Sequence, residues 1–308
     1  MAEFDFIRWL RQRTPSDARV QVGPGDDAAV LASINAPLIV TTDMLMDGVD
    51  FLLAEVDPVR VGRKAMGVNL SDLAAMGAKP LAAVASVALP RSADSSLAEQ
   101  LHLGMTEMAT KYDCPLVGGD TNSWDKPLVI SVTAFGTPGP QGAILRSGAK
   151  PGDWLFVTGS LGGSILGRHL DVKPRVREAL ELQRHVQLHA MIDISDGLAA
   201  DVHHLVEESG CGVVLEADAI AIHADAHRMN EGRSPLEHAL GDGEDFELAF
   251  AVSPEDGELL LTHQPLAACP VTCIGTFVAE RGLWIQQHGQ RRPLPPMGWV
   301  HLLGENEP

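Results

Sequence analysis

Residues 57–80 read DPVRVGRKAMGVNLSDLAAMGAKP, a single helical stretch with both of its ends marked. Asp57 is placed as the N-cap and Pro58 at the first helical position, where a missing N–H costs nothing, and Gly77 and Pro80 close the helix. Asp72 interrupts its interior beside the apolar Leu70 and Leu73. Aspartate is a poor helix former and has no capping role at that point, so a functional carboxylate is the favoured reading. Upstream, PLIVTTD (Pro37–Asp43) is a β-branched run ending at a carboxylate, and VGPGDDAAVL (Val22–Leu31) is a Gly/Pro turn entering a short strand. Phe4–Arg13 has the three- and four-residue apolar spacing of a short amphipathic helix. Downstream come a strand at Leu81–Leu89, a helix at Ser96–Tyr112 and strands at Pro115–Val117 and Leu128–Phe135. This alternation describes an α/β or α+β domain.

The Gly/Pro-rich segment GTPGPQGAILRSGAKPGD (Gly136–Asp153) reads as a boundary. A second series follows: a strand at Trp154–Thr158, then LGGSILGRHL as a turn and helix, and a short strand at Met191–Ile194. Ser195 or Asp196 caps the next helix, whose buried face carries Leu198, Val202, Leu205 and Val206. Strands at Gly212–Leu215, Glu247–Val252 and Val271–Phe277 complete the core. The expected plan is two α/β domains, residues 1–140 and 141–308.

A chain of 308 residues, 45% of them hydrophobic, can bury the core of two domains and is not of a disordered composition. Against 23 basic residues stand 41 acidic ones, a net charge of −18. So acidic a surface repels nucleic acid and anionic lipid, which argues against both as partners. No run approaches the roughly 18 apolar residues of a membrane span, and the N-terminus does not read as a signal peptide. Cys114, Cys211, Cys269 and Cys273 form no C-x-x-C pair and read as reduced thiols of a cytoplasmic protein.

The candidate chemistry lies in carboxylates: Asp26-Asp27, Asp43, Asp72, Gly118-Gly119-Asp120, Asp193-x-Ser195-Asp196 and Gly241–Asp245. All but Asp72 read as turn or strand-end positions, where α/β folds present side chains to a ligand crevice. Magnesium takes hard oxygen ligands, commonly one or two carboxylates together with phosphate oxygens, and glycines let backbone N–H groups approach phosphate. Each turn aspartate also has a plain reading as turn chemistry, and Ser195-Asp196 taken alone is more often a helix cap than a ligand. The sequence contains no G-x-x-x-x-G-K-[ST] loop, no H-R-D or D-F-G set, no zinc spacing and no G-x-S-x-G. Gly159–Gly163 (GSLGG) is a weak candidate for touching phosphate.

In order along the chain, GDDAAV, TTDMLMDGVDF, GRKAMGVNLSDLAAMGAKP, GGDTNS, RSGAKPGD, DISDGL and GEDFEL resemble the motifs of the thiamine-monophosphate kinases, from about Val22 to Trp299. That family belongs to the superfamily of aminoimidazole ribonucleotide synthetase. The resemblance implies a two-domain fold of that type, whose N-terminal domain pairs into a barrel across a homodimer. It implies transfer of the γ-phosphoryl of ATP onto thiamine monophosphate, with Mg2+. By position, Asp27, Thr41, Thr42, Asp43, Asp72, Asp120, Asp193 and Asp196 match magnesium ligands. Gly119, Asp120, Arg146 and Ser195 match ATP contacts, while Glu244 and Trp299 match substrate contacts. Asp43, Asp120 and Arg146 are the expected catalytic set. Arg146 offers a planar fork for phosphate, and Trp299 offers a face for a heteroaromatic cation. Where the family commonly has His in a G-x-H-F stretch contacting substrate, this chain has Asp50 in Gly48-Val49-Asp50-Phe51. Asp50 is left to bind magnesium, contact the thiamine ring or face away.

Two rivals remain at this level. One is another ATP-using member of the superfamily, such as an aminoimidazole ribonucleotide synthetase-like enzyme. The other is a non-catalytic nucleotide-binding relative.

Overall fold

The structure, a computed structural model, describes residues 12–13, 17–22, 29–229, 232–266, 268–295 and 297–299. Asp26 and Asp27, and all of the Phe4–Arg13 helix except residues 12–13, lie outside the described residues. The chain divides into two compact units: 1–73 with 78–139 and 170–176, and 74–77 with 140–169 and 177–308. No described helix is long and apolar enough to cross a membrane.

The first unit is built on a four-stranded sheet. Its strands are β3 (Ile39–Met46), β4 (Ala78–Pro90), β5 (Leu116–Trp124) and β6 (Val129–Pro138), in the order β3-β6-β4-β5. Only the β4/β5 pair is parallel; the other two are antiparallel. A small antiparallel pair, β1 (Val20–Val22) with β2 (Val30–Leu31), packs Val20 and Leu31 against the cluster of Leu81, Ala82 and Val117 on the sheet.

The opening stretch folds as a helix over Pro58–Ala75. The Asp57 carboxylate accepts the Val59 N–H at 2.9 Å, and Gly77 closes the far end at φ 61°. The second helix, Ser95–Lys111, starts at Asp94, whose carboxylate accepts the Ser96 N–H. All four strands of this sheet run past their expected limits, and of these β3 continues to Met46 and β6 to Pro138. β4 begins directly after Gly77 and contains Pro80, which sits at a register shift where a missing N–H breaks no ladder bond. β5 extends through Gly-Gly-Asp-Thr-Asn-Ser to Trp124, so Asp120 lies within an edge strand and not at a turn.

The second unit carries a seven-stranded sheet of β7 (Trp154–Thr158), β8 (Ala190–Asp193), β9 (Gly212–Glu216), β10 (Leu248–Val252), β11 (Val271–Val278), β12 (Gly282–Gln287) and β13 (Gln290–Pro293). The order is β13-β12-β9-β11-β7-β10-β8, antiparallel except for β12/β9. The Leu198–Ser209 helix buries Leu198, Val202, Leu205 and Val206 in one cluster with Leu155, Val157, Ile192, Val213 and Ile285. That is the face expected from its spacing. The LGGSILGRHL segment forms two single 3-10 turns, Ser164–Leu166 and Arg168–Leu170, because Gly162, Gly163 and Gly167 all have positive φ and break any longer helix.

Candidate active site

In the first unit the Pro58–Ala75 helix fastens its polar residues onto β3. The Thr41 hydroxyl donates to the Asp72 carboxylate, and the Asp43 N–H donates to Asn69 Oδ1 at 3.1 Å. The Asn69 amide nitrogen is itself held by the Ala65 carbonyl at 3.1 Å. The aspartate that helix propensity disfavours thus sits beside β3. Asp43 is in the middle of that strand, not at its end.

Strand alternation separates the neighbouring candidates. Thr41 and Asp43 share one face, whereas Thr42 lies on the other, its hydroxyl donating to the Val132 carbonyl and accepting from Thr133. By register Asp43 is on the row Val132–Ala85–Gly119, while Asp120 follows Ser86, Ser131 and Met44 on the opposite row. The sheet therefore gathers Thr41, Asp43 and Asp72, and it sets Thr42 and Asp120 apart from them. Gly119 has a packing reason of its own: a Cβ there would lie 1.9 Å from the Ala85 carbonyl oxygen.

Asp50 closes its own loop. Its carboxylate accepts the Met46 N–H at 2.6 Å, and its carbonyl accepts from the fully buried Lys64 at 2.8 Å.

The second unit brings its candidates together around one turn. Asp193 ends β8, and Ser195 and Asp196 follow it. The Ser195 carbonyl accepts the Glu244 N–H at 2.7 Å, and the Asp196 carbonyl accepts the Trp299 N–H at 2.9 Å. The Trp299 ring is exposed. Arg146, also exposed, adjoins Leu145, whose carbonyl accepts the Met191 N–H of β8. Glu244 and Trp299, distant in sequence, are thus tied by backbone bonds to the turn that carries Asp193, Ser195 and Asp196. Neither Ser195 nor Asp196 is the helix cap: the N-cap is Gly197. A residue not foreseen, Asp201, accepts the N–H groups of Asp196 and Gly197.

The glycine loop at 159–163 is held by carboxylates. The Gly162 N–H donates to Asp245 at 2.9 Å and the Gly163 N–H to Asp242 at 2.9 Å, so these amides serve the fold. Asp245 also accepts from Arg168 at 2.9 Å. Burial pushes the Asp245 carboxyl up to about 7 and Glu247 adds to the push, although Arg168 and the Gly162 N–H oppose it. A carboxyl raised in the folded state binds its proton more tightly there than in the unfolded chain. Its contribution to stability is therefore complete below its unfolded value near 4 and is lost as pH rises through about 7. The unfolding temperature of the wild type minus that of Asp245→Asn is expected to fall between about pH 4 and about pH 7 and to level off above that. A pH-independent difference in thermal scans would contradict this.

The donor set suits magnesium. Among the described residues no three His, Cys, Asp or Glu side chains form a ready-made cage, and magnesium seldom uses one, preferring one or two carboxylates plus phosphate oxygens. Thr41, Asp43 and Asp72 supply hard oxygens in the first unit, and Asp193 and Asp196 in the second. Burial holds Asp201 well above the usual carboxylate range, and the charges of Asp193 and Asp196 add to that. A divalent cation would relieve such crowded negative charge.

Residues 25–137 match the family described as AIR synthase related protein, N-terminal domain, and residues 150–286 match AIR synthase related protein, C-terminal domain. Fold and site thus define an AIR synthase related protein. A thiamine-monophosphate kinase of Rhodopirellula baltica is 43% identical over 311 residues, covering 97% of each chain. The crystal structure of the thiamine-monophosphate kinase from Stenotrophomonas maltophilia K279a superposes with a TM-score of 0.79 at 32% identity, covering 92% of this chain and 96% of that one. The structure of AaThiL complexed with AMPPCP and TMP gives a TM-score of 0.77 at 28% identity, over 97% of both chains. The chain belongs to the thiamine-monophosphate kinase family of phosphotransferases.

Proposed function

We propose that this protein transfers the γ-phosphoryl group of ATP directly onto thiamine monophosphate, giving thiamine diphosphate, in the cytoplasm. The observation that carries the reading is the gathering of Asp193, Ser195, Asp196, Glu244 and Trp299 at one turn in a chain 43% identical to a thiamine-monophosphate kinase. An acceptor that is already an anionic phosphate needs no dedicated base. The protein's part is placement and charge neutralisation. Magnesium, when bound, would neutralise phosphate oxygens. Thr41, Asp43 and Asp72 would hold an ion in the first unit, with Asp27 as a further ligand, and Asp193 and Asp196 an ion in the second. Thr42 and Asp120, on the other face of the four-stranded sheet, would serve as ligands apart from these. Arg146 would grip phosphate as a planar fork and Ser195 would contact ATP, while Glu244 and the Trp299 face would orient the thiamine. Asp50 acts on the substrate end by keeping its loop closed. In this division residues 1–140 form an ATP- and magnesium-binding domain, and residues 141–308 a second domain that supplies Arg146, Ser195, Glu244 and Trp299.

The assay is direct. Protein, ATP, Mg2+ and thiamine monophosphate are incubated, and thiamine diphosphate and ADP are measured. Equal amounts of both products are expected. ADP appearing only with an aminoimidazole precursor would assign the chain to another branch of the superfamily, and nucleotide binding without product would make it a non-catalytic relative.

The dimer is part of the proposal. On the outward row of β3, Val40 and Met44 are 54% and 59% exposed, and Leu38 and Met46 extend the patch. An apolar strip on an edge strand invites pairing with a second copy. Met44→Asp is expected to run as a monomer in size exclusion with light scattering, with circular dichroism unchanged. A wild-type monomer would end the dimer proposal.

A further inference from the structure

A helix usually receives its cap from the side chain at the N-cap position, which satisfies one of the orphan N–H groups of the first turn. The Leu198–Ser209 helix has Gly197 there, with no side-chain cap. Glycine suits the position because φ is 126°, a conformation that residues bearing a Cβ rarely adopt. The acceptor comes from one turn further on. Asp201, 2% exposed, reaches back so that its Oδ2 accepts the N–H groups of both Asp196 and Gly197, each at 3.1 Å. This resembles the returning half of a capping box, placed one residue deeper.

The carbonyls of the same turn are held from elsewhere, Ser195 by the Glu244 N–H and Asp196 by the Trp299 N–H. Asp201 fastens the other side of the peptide units. With its N–H groups held, the Ser195-Asp196-Gly197 backbone cannot rotate to swing the Asp196 carboxylate away from Asp193. We infer that Asp201 is a positioning residue, which sets the Asp193/Asp196 pair by holding the N–H groups of Asp196 and Gly197. Its Oδ2 is committed to two donors, so its work is done by hydrogen bonding. This rests on the kinase reading for what the pair then holds.

The test compares Asp201→Asn, which keeps an acceptor oxygen of equal reach, with Asp201→Ala, which removes it. Asp201→Val, of similar volume, replaces the alanine variant if that does not fold. Two readouts are taken below all unfolding temperatures: amide hydrogen exchange at Asp196 and Gly197, and the Mg2+ concentration for half-maximal turnover. Without the acceptor, both amides should exchange faster and the half-saturating Mg2+ should rise by about tenfold or more, the usual effect of removing a residue that orients a ligand. The asparagine variant should stay within about threefold of wild type on both readouts. Wild-type exchange and Mg2+ dependence in the alanine or valine variant would overturn the inference. So would an asparagine variant as impaired as alanine, because the carboxylate charge would then be the operative feature. If the wild type makes no thiamine diphosphate at any Mg2+ concentration, the kinase reading fails, and the exchange data still decide whether Asp201 holds the turn.

Discussion

Asp43→Asn is expected to lower turnover by on the order of a thousandfold, about 4 kcal/mol of transition-state stabilisation, with little change in thermal unfolding. The two halves of this expectation have separate causes. Asp43 is tied to the helix through its backbone N–H, which donates to Asn69 Oδ1 and which an asparagine at position 43 leaves intact. The side chain is half-buried on the face of β3 that also carries Thr41, and an amide of nearly equal size fills the same space. The chemistry does need the charge. A neutral amide oxygen is a far weaker ligand for a hard dication than a carboxylate. Turnover measured across Mg2+ concentrations, beside a melting curve, separates the two. Near-normal turnover at low Mg2+ would remove Asp43 from the metal site. Equal loss of activity and of stability would make it a structural residue instead.

What could be read from the sequence was whatever local chemistry fixes. Asp57 and Pro58 before a helical stretch and Gly77 after it leave one solution, and the Pro58–Ala75 helix follows. The buried face of the Leu198–Ser209 helix was visible for the same reason, since its apolar spacing has one period. The family's motif order likewise pointed to the fold and to the turn at Asp193–Gly197. Elements whose partners decide them were not legible. GGDTNSW has the composition of a turn, yet pairing with Val84–Pro90 draws it into β5. The β12–β13 hairpin is polar on its outer strand and lacks an alternating signal. Roles of carboxylates were the hardest to see. Asp201, Asp242 and Asp245 differ in sequence from Asp193 and Asp196 by nothing that shows they would turn inward to hold backbone N–H groups. Even the alternation of Thr41, Thr42 and Asp43 becomes informative only once β3 is known to run through all three.

Gly104→Ala is expected to destabilise the protein by about 3 kcal/mol or more, although helix propensity alone predicts a gain of about 1 kcal/mol. Gly104 lies inside the Ser95–Lys111 helix and Gly62 inside the Pro58–Ala75 helix. A Cβ on Gly104 would come within 1.9 Å of the Val59 carbonyl oxygen and 2.9 Å of the Arg63 nitrogen. A Cβ on Gly62 would meet the Leu101 carbonyl oxygen at 2.2 Å. The two helices therefore touch backbone to backbone at a pair of glycines. No flexible side chain is present to move aside, so a methyl group must force the helices apart. Such a shift also displaces Asn69 and Asp72, which ride on the same helix and hold β3. Stability and turnover should accordingly fall together, unlike the separation expected for Asp43. Urea unfolding of Gly104→Ala beside Leu103→Ala, a change at an exposed neighbour, provides the measurement. The leucine change should cost no more than about 0.5 kcal/mol. An alanine at 104 that raised stability would mean the helices stand far enough apart for propensity to govern the position.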